Sequence, residues 1–228
     1  ASANAVFGNK ASVLVGDFLF ARAFQLMVED GSLQVLRILS GAAATIAEGE
    51  VLQLVTQNDL STSEAQYLDV VRGKTAALFA AACEVGAVVA ARPAAEVAAL
   101  RDYGMNLGIA FQLADDALDY AADQAVLGKT VGDDFREGKI TLPVLSAYDA
   151  GDAAERGFWQ RTIEACEQTD ADLEQALRLM SERGAIRVTL QRAAHFAALA
   201  RQSLAEFADT PLRRLLQAVA NYAVSRAR

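Results

Sequence analysis

The chain has 228 residues, enough for one domain (1–228) with a substantial core, and no shift in composition calls for a second. It is 53% hydrophobic but only 7% aromatic and carries three prolines, so a chain this rich in alanine and leucine reads as all-α, with strands not expected. Its 21 Lys and Arg against 29 Asp and Glu give a net charge of -8, which excludes binding nucleic acid through clustered cations; two cysteines and one histidine make no zinc pattern and fit a reducing cytoplasm.

Helical periodicity predicts a first helix over 10–29, stopped by Gly31, and a second over 33–55. Ser61 and Glu64 stand in capping-box relation, which predicts a long helix from there to about residue 90. Residues 76–91 are nearly uncharged, but Glu84 interrupts them and "RGKT" precedes them, so a buried helix is expected rather than a membrane span. A helix over 93–121, about 43 Å long at 1.5 Å per residue, suits the central rod of a large bundle. Residues 123–139 are rich in Gly, Asp and Lys and predict a loop at the mouth of a site. Pro143 fits the first turn of a short helix starting near Thr141, and further helices are predicted over 152–167, 171–183, 185–207 and 211–226. The layout is an antiparallel helical bundle.

The 93–121 helix carries "FQLADDALDY" near its end. Asp115 and Asp119 are four residues apart and share a helix face; Gln112 lies on the same stripe and Asp116 about 100° to the side. Carboxylates so placed repel one another and the negative helix terminus. The apolar approach "NLGIAFQL" argues against a solvated surface, and buried carboxylates need partners or a metal. Oxygen ligands favour a hard cation, and Mg²⁺ typically takes one or two carboxylates together with substrate phosphates. A carboxylate and a phosphate oxygen 4 Å apart repel by about 4 kcal/mol at an effective dielectric of 20, so acids hold a diphosphate only through a metal. Lys74, Lys129 and Lys139 are placed to neutralise the remaining charge, and Asp133 and Asp134 form a second acid pair.

The combination of "LGIAFQLADDALDY" with "LGKTVGDDFREGKITLP" resembles the second aspartate-rich region of trans-polyprenyl diphosphate synthases. "GDFLFARAFQLM", "EGEVLQL" and "VVRGKTAALFAAACEVGA" follow the family's order, and the likeness is strongest to its long-chain branch, which makes octaprenyl to decaprenyl diphosphates for quinone tails. The resemblance implies the all-α bundle of the isoprenoid synthases and Mg²⁺ held by Asp115, Asp116, Asp119 and Asp133. It implies that Lys74, Thr75, Gln112, Lys129 and Lys139 contact the allylic diphosphate, with Glu50 and Gln53 nearby. Catalytic roles fall to Asp115, Lys74, Lys129 and Gln112. It further implies isopentenyl diphosphate as second substrate, a homodimer, a cytoplasmic enzyme and at most peripheral membrane contact. Phe20, Phe24, Leu78, Phe79 and Phe111 are candidate tunnel walls, whereas His195 and Trp159 read as edge and core packing.

The chain departs from the family pattern in lacking the other DDxxD motif with its arginine pair, and is expected to be part of a longer protein. Ala117 stands where a bulkier apolar residue is usual. Two alternatives are a noncatalytic subunit of a heteromeric synthase and a terpene cyclase of the same fold; the intact DDALD and the three lysines favour the synthase.

Overall fold

The computed structural model describes residues 3–121 and 131–226. Every regular element among them is helical. Helix α1 (Ala3–Asp30) starts earlier than its periodicity suggests and is broken at Gly8, whose φ of 80° and ψ of 165° are not helical. It ends before Gly31, and Ser32 caps α2 (Leu33–Thr56), its hydroxyl accepting from the Val35 amide.

The next helix starts two residues later than expected and is not continuous. Ser63, not Ser61, is the N-cap of α3 (Glu64–Val71), and its capping box closes with Gln66. Ser61 is instead tied to Asp59, which accepts from both its amide and its hydroxyl. Ser63→Ala should therefore destabilise the protein by about 1 kcal/mol, the usual value of a lost cap, and Ser61→Ala by clearly less; urea unfolding of both variants measures the contrast. After Val71 the helix widens into a π-helical turn, Arg72–Ala76, before resuming as α4 (Ala77–Val89). Such a turn inserts one residue into the ladder and is common at functional sites. Only the alanine side of α4 is buried (Ala77, Ala80, Ala81, Ala87), while Leu78 and Val89 face outward.

Pro93 precedes α5 (Ala94–Ala121), which is the central rod: α4 packs along one side and α10 along another. Of the loop expected over 123–139, residues 123–130 lie outside the described residues; the remainder contains a one-turn helix, α6 (Asp133–Arg136), started by Gly132 in the left-handed region. Thr141 precedes α7 (Leu142–Ala150), with Pro143 in its first turn. The element expected over 152–167 is α8 (Ala153–Trp159) followed by a second π-helical turn, Gln160–Glu164. Then come α9 (Asp172–Glu182), α10 (Ala185–Ser203), four residues shorter than expected, and α11 (Pro211–Ser225).

The larger core cluster joins α5 to α3 and to α7 through α10 around Trp159, Phe158, Phe135 and Leu113. Trp159 is fully buried with its ring edge-on to Phe135 and Phe158, as its packing role requires. A smaller cluster of Tyr103, Leu107, Ala200 and Leu204 seals α5 against α10 and α11, and the Tyr103 hydroxyl donates to the Leu216 carbonyl. Among the described residues, the helices long and apolar enough to cross a membrane, by length and composition only, are α1 and α2 rather than 76–91. Helix α1 packs against α2, buries no residue, and presents Phe18, Leu19 and Phe20 outward.

Candidate functional site

Glycine sets the close approach of three elements. A Cβ on Gly49 of α2 would lie 2.4 Å from the Lys74 backbone nitrogen and 2.7 Å from the Gly73 carbonyl carbon, so α2 touches the π-helical turn through bare backbone. From the other side, a Cβ on Gly104 would meet the Phe79 carbonyl oxygen at 2.4 Å, and one on Gly108 would meet the Ala76 Cα at 2.6 Å. Helix α5 therefore lies against the start of α4, one turn below Gln112. That contact brings Thr75 to Gln112, and the extra residue of the π-helical turn is what places Lys74 and Thr75 between α2 and α5.

The side chains form one connected set. Lys74 Nζ donates to Gln53 Oε1 at 2.7 Å. Thr75 Oγ1 donates to Gln112 Oε1 at 2.8 Å, and Gln112 Nε2 donates to Asp116 Oδ1 at 2.7 Å. The other Asp116 oxygen accepts from the Tyr67 hydroxyl at 2.5 Å. Asp116 is buried, 3% exposed, whereas Asp115 and Asp119 are only partly covered. Arg226, at the end of α11, stands 3.8 Å from Asp115, lies over the Phe111 ring and donates to the Phe111 carbonyl.

The segment after Gly132 closes the site from the far side. The Asp134 amide donates to Asp119 Oδ2, and Lys139 Nζ pairs with Asp134 at 3.0 Å and with Glu137 at 2.7 Å. Gly138, at φ +66°, is packed against Asn58, whose amide donates to the Gly138 carbonyl. A cavity of about 190 Å³ results, lined by Gln53, Tyr67, Lys74, Gln112, Asp115, Asp116, Asp134, Lys139 and Thr141 among others. Asp134, not Asp133, is the acid of this segment that faces it; Asp133 pairs with Arg136 and is half exposed. Neighbours on α6 point about 100° apart, and here Asp133 is turned to Arg136 while Asp134 is turned to Lys139. Lys129 lies outside the described residues. Glu50 is exposed and does not line the cavity.

The acids are electrostatically strained. Burial, then Asp134, raise the Asp116 carboxyl to about 7 against the hydrogen bonds from Tyr67 and Gln112. Burial and Asp134 also raise Asp119, to about 6. Burial opposes the Lys139 charge, but Glu137 and Asp134 outweigh it and hold the ammonium above its ordinary range. Among the described residues no three acids gather tightly enough to hold an ion alone. That suits a hard cation shared with phosphate oxygens and water. Two buried hydroxyls, Tyr120 Oη and Thr141 Oγ1, lie beside the acids and interact with each other.

A pH dependence follows with a definite sign. Asp116 and Asp119 have folded values above the ordinary 3.8, so their contribution to folding is complete below about pH 4 and is lost as pH rises through about 6 and about 7. The metal-free protein should melt higher at pH 5 than at pH 8. Asp116 alone contributes on the order of 4 kcal/mol at most, at about 1.4 kcal/mol per pKa unit. Calorimetry in a chelating buffer, repeated on Asp116→Ala, measures this; an equal pH slope in the variant would remove Asp116 as its source.

Sequence reasoning missed Tyr67, Thr141 and Arg226. Tyr67 lies seven residues before Lys74, two helical turns away, a weak signal in the absence of a known partner. His195 is exposed on α10. Phe79 and Phe111 pair across α4 and α5 at 5.4 Å, while Phe20 and Phe24 pack on each other along α1 and Leu78 faces outward. A larger cavity, about 750 Å³, lies elsewhere, between the end of α5, α9 and α10. Among the described residues its lining has no carboxylate and a single cation, Arg187, so the chemistry points to the smaller, acid-lined one.

Comparison with known proteins returns one consistent picture. The family profile described as polyprenyl synthetase matches residues 1–180. Octaprenyl diphosphate synthase of Escherichia coli is 47% identical over 228 residues, all of this chain and 70% of that protein. Among solved structures, a decaprenyl diphosphate synthase from Rhodobacter capsulatus is 52% identical with a TM-score of 0.92. A polyprenyl synthase from Caulobacter crescentus, complexed with calcium and isoprenyl diphosphate, is 52% identical with a TM-score of 0.96. Both alignments cover 100% of this chain and 70% of the other.

Proposed function

The chain belongs to the polyprenyl synthetase family as a trans-prenyltransferase of the long-chain diphosphate synthase type, and from that premise we propose how its residues carry the reaction. Enzymes of this family extend an allylic diphosphate with isopentenyl diphosphate. The observation that carries the assignment is the single cavity in which Lys74 and Gln112 face Asp115 and Asp134, with Thr75 bonded to Gln112.

Asp115 and Asp119 would hold Mg²⁺, with Asp134 in the place expected of Asp133, and Lys74 and Lys139 would bind the phosphate oxygens of the allylic substrate. Lys129 is assigned to the same diphosphate by resemblance. When bound, the metal supplies positive charge that offsets the repulsion between the carboxylates and the diphosphate. As the allylic carbon–oxygen bond breaks, its electron pair leaves with the diphosphate, whose growing charge Lys74 and Lys139 stabilise. Gln112 and Thr75 hold the reacting carbon near the double bond of isopentenyl diphosphate; that double bond attacks the cation, a carbon–carbon bond forms, and a proton leaves to the released diphosphate. Phe79 and Phe111 keep water from the cation. The solved relative with calcium and isoprenyl diphosphate supports a divalent cation and a diphosphate at such a site.

We further propose a single catalytic domain that acts as a cytoplasmic homodimer, in which the outward apolar side chains of α1 find cover. Incubating the full-length protein with Mg²⁺, an allylic diphosphate and labelled isopentenyl diphosphate tests the function. Extended linear diphosphates are expected; cyclic hydrocarbons would mean a cyclase and no turnover a partner subunit. Lys74→Ala should raise the KM for the allylic diphosphate about 10- to 100-fold, since a hydrogen bond to a charged group is worth about 1.5–3 kcal/mol. An unchanged kinetic profile would leave Lys74 a structural partner of Gln53.

A further inference from the structure

We propose that Asp116 is a positioning residue and not a metal ligand, and that Tyr67, which no motif marked, is the anchor through which it fixes the Gln112 amide against Thr75. This rests on the reading of the cavity as the prenyl-transfer site. Three bonds in series carry the argument: Tyr67 Oη to Asp116 Oδ2 at 2.5 Å, Gln112 Nε2 to Asp116 Oδ1 at 2.7 Å, and Thr75 Oγ1 to Gln112 Oε1 at 2.8 Å.

Both Asp116 oxygens are thus engaged by donors inside the protein, and the residue is buried, whereas Asp115, on the neighbouring face, is about one-third exposed. Asp116 touches the cavity, but a cation approaching it would compete with Tyr67 and Gln112 for oxygens that are almost fully covered, whereas Asp115 offers its carboxylate more openly. Tyr67 is itself 3% exposed and set in the core with Leu60, Leu68 and Leu113, so its hydroxyl cannot swing away without opening that cluster. The amide of Leu142, in the first turn of α7, faces the same hydroxyl and ties the anchor to a third element.

The direction of the bonds has a chemical consequence. A glutamine amide can be turned either way, and here the carboxylate decides: only the NH₂ end can donate to Asp116, so the carbonyl end must face Thr75. The Thr75 hydroxyl proton is thereby committed to Gln112, and its free lone pairs are fixed in direction. Remove the anchor and the amide is free to turn, presenting donors where the site has an acceptor.

The test uses the full-length protein with two readouts. Mn²⁺ binding is followed by electron paramagnetic resonance in the presence of an unreactive allylic thiolodiphosphate, and kcat is measured separately. Tyr67→Phe and Asp116→Asn should each keep the Mn²⁺ affinity within about 3-fold of the parent while lowering kcat about 10- to 100-fold, the scale of a misplaced reacting group. The double variant should be no slower than the slower single one, because the residues act as one unit. Melting temperatures separate a lost fold from a lost orientation, and Tyr67→Phe, which removes one oxygen, guards against a collapsed Asp116 variant.

Asp115→Asn serves as the reference and should weaken Mn²⁺ binding. If Asp116→Asn weakens it as much as Asp115→Asn does, or if Tyr67→Phe leaves kcat within 2-fold of the parent, the positioning role is overturned. If Asp115→Asn binds Mn²⁺ normally, the assignment of the metal to this helix fails instead, a result distinct from either.

Discussion

Asp115→Ala in the full-length protein is expected to lower kcat about 100- to 1000-fold, the range seen when one preorganised electrostatic contact is removed, while the melting temperature barely moves. The two halves of that expectation have separate causes. Asp115 lies near the C-terminal end of α5 with its side chain one-third exposed, so truncating it opens no core cavity. Its Arg226 partner, 3.8 Å away, keeps its hydrogen bond to the Phe111 carbonyl and its place over that ring. On the proposed reading, the variant loses an oxygen that would hold the metal where the diphosphate binds. Without it, the remaining acids repel the substrate by about 4 kcal/mol per unit pair at 4 Å and an effective dielectric of 20. Steady-state assays across a Mg²⁺ titration check it; turnover within a few-fold of the parent would sink the metal assignment for this carboxylate.

Gly49→Ala should act in the opposite way, through the fold first and the chemistry second. The new methyl would lie 2.4 Å from the Lys74 nitrogen and 2.7 Å from the Gly73 carbonyl carbon, both backbone atoms that no rotamer change can move. Overpacking of this kind costs about 1–3 kcal/mol, or about 3–10 °C in melting temperature for a chain of this size. Relief requires α2 and the π-helical turn to separate, which would carry Lys74 away from Gln53 and press the turn against α5, where Thr75 meets Gln112. Differential scanning calorimetry together with the KM for the allylic diphosphate should show both effects. A variant as stable as the parent would mean that this contact does not set the position of the turn.

Much of the site could be read from the chain because helical spacing is a local property. Asp115, Asp119 and Gln112 share a stripe in any helix that contains them, and α5 runs over the predicted span to within one residue. Proline and glycine punctuation placed most other boundaries, since their backbone limits act within a turn: Gly31 after α1, Pro93 before α5, Pro143 in the first turn of α7. The cap of α3 was misplaced because Ser61 and Ser63 each have an acceptor partner three residues on; the choice depended on Asp59 capturing Ser61.

The sequence by itself determined the helical class, the order of the helices and the acid-bearing stripe, because each depends on contacts within a few residues. Only the tertiary structure decided which acids meet which cations. The π-helical turn at Arg72–Ala76 arises where α2 and α5 press on both sides of one segment, Asp134 rather than Asp133 faces inward because it is paired with Lys139 while Asp133 is held by Arg136, and Tyr67 reaches Asp116 across 49 positions of chain. Those pairings are long-range, and their partners are brought together by the burial of a shared core that local periodicity does not encode.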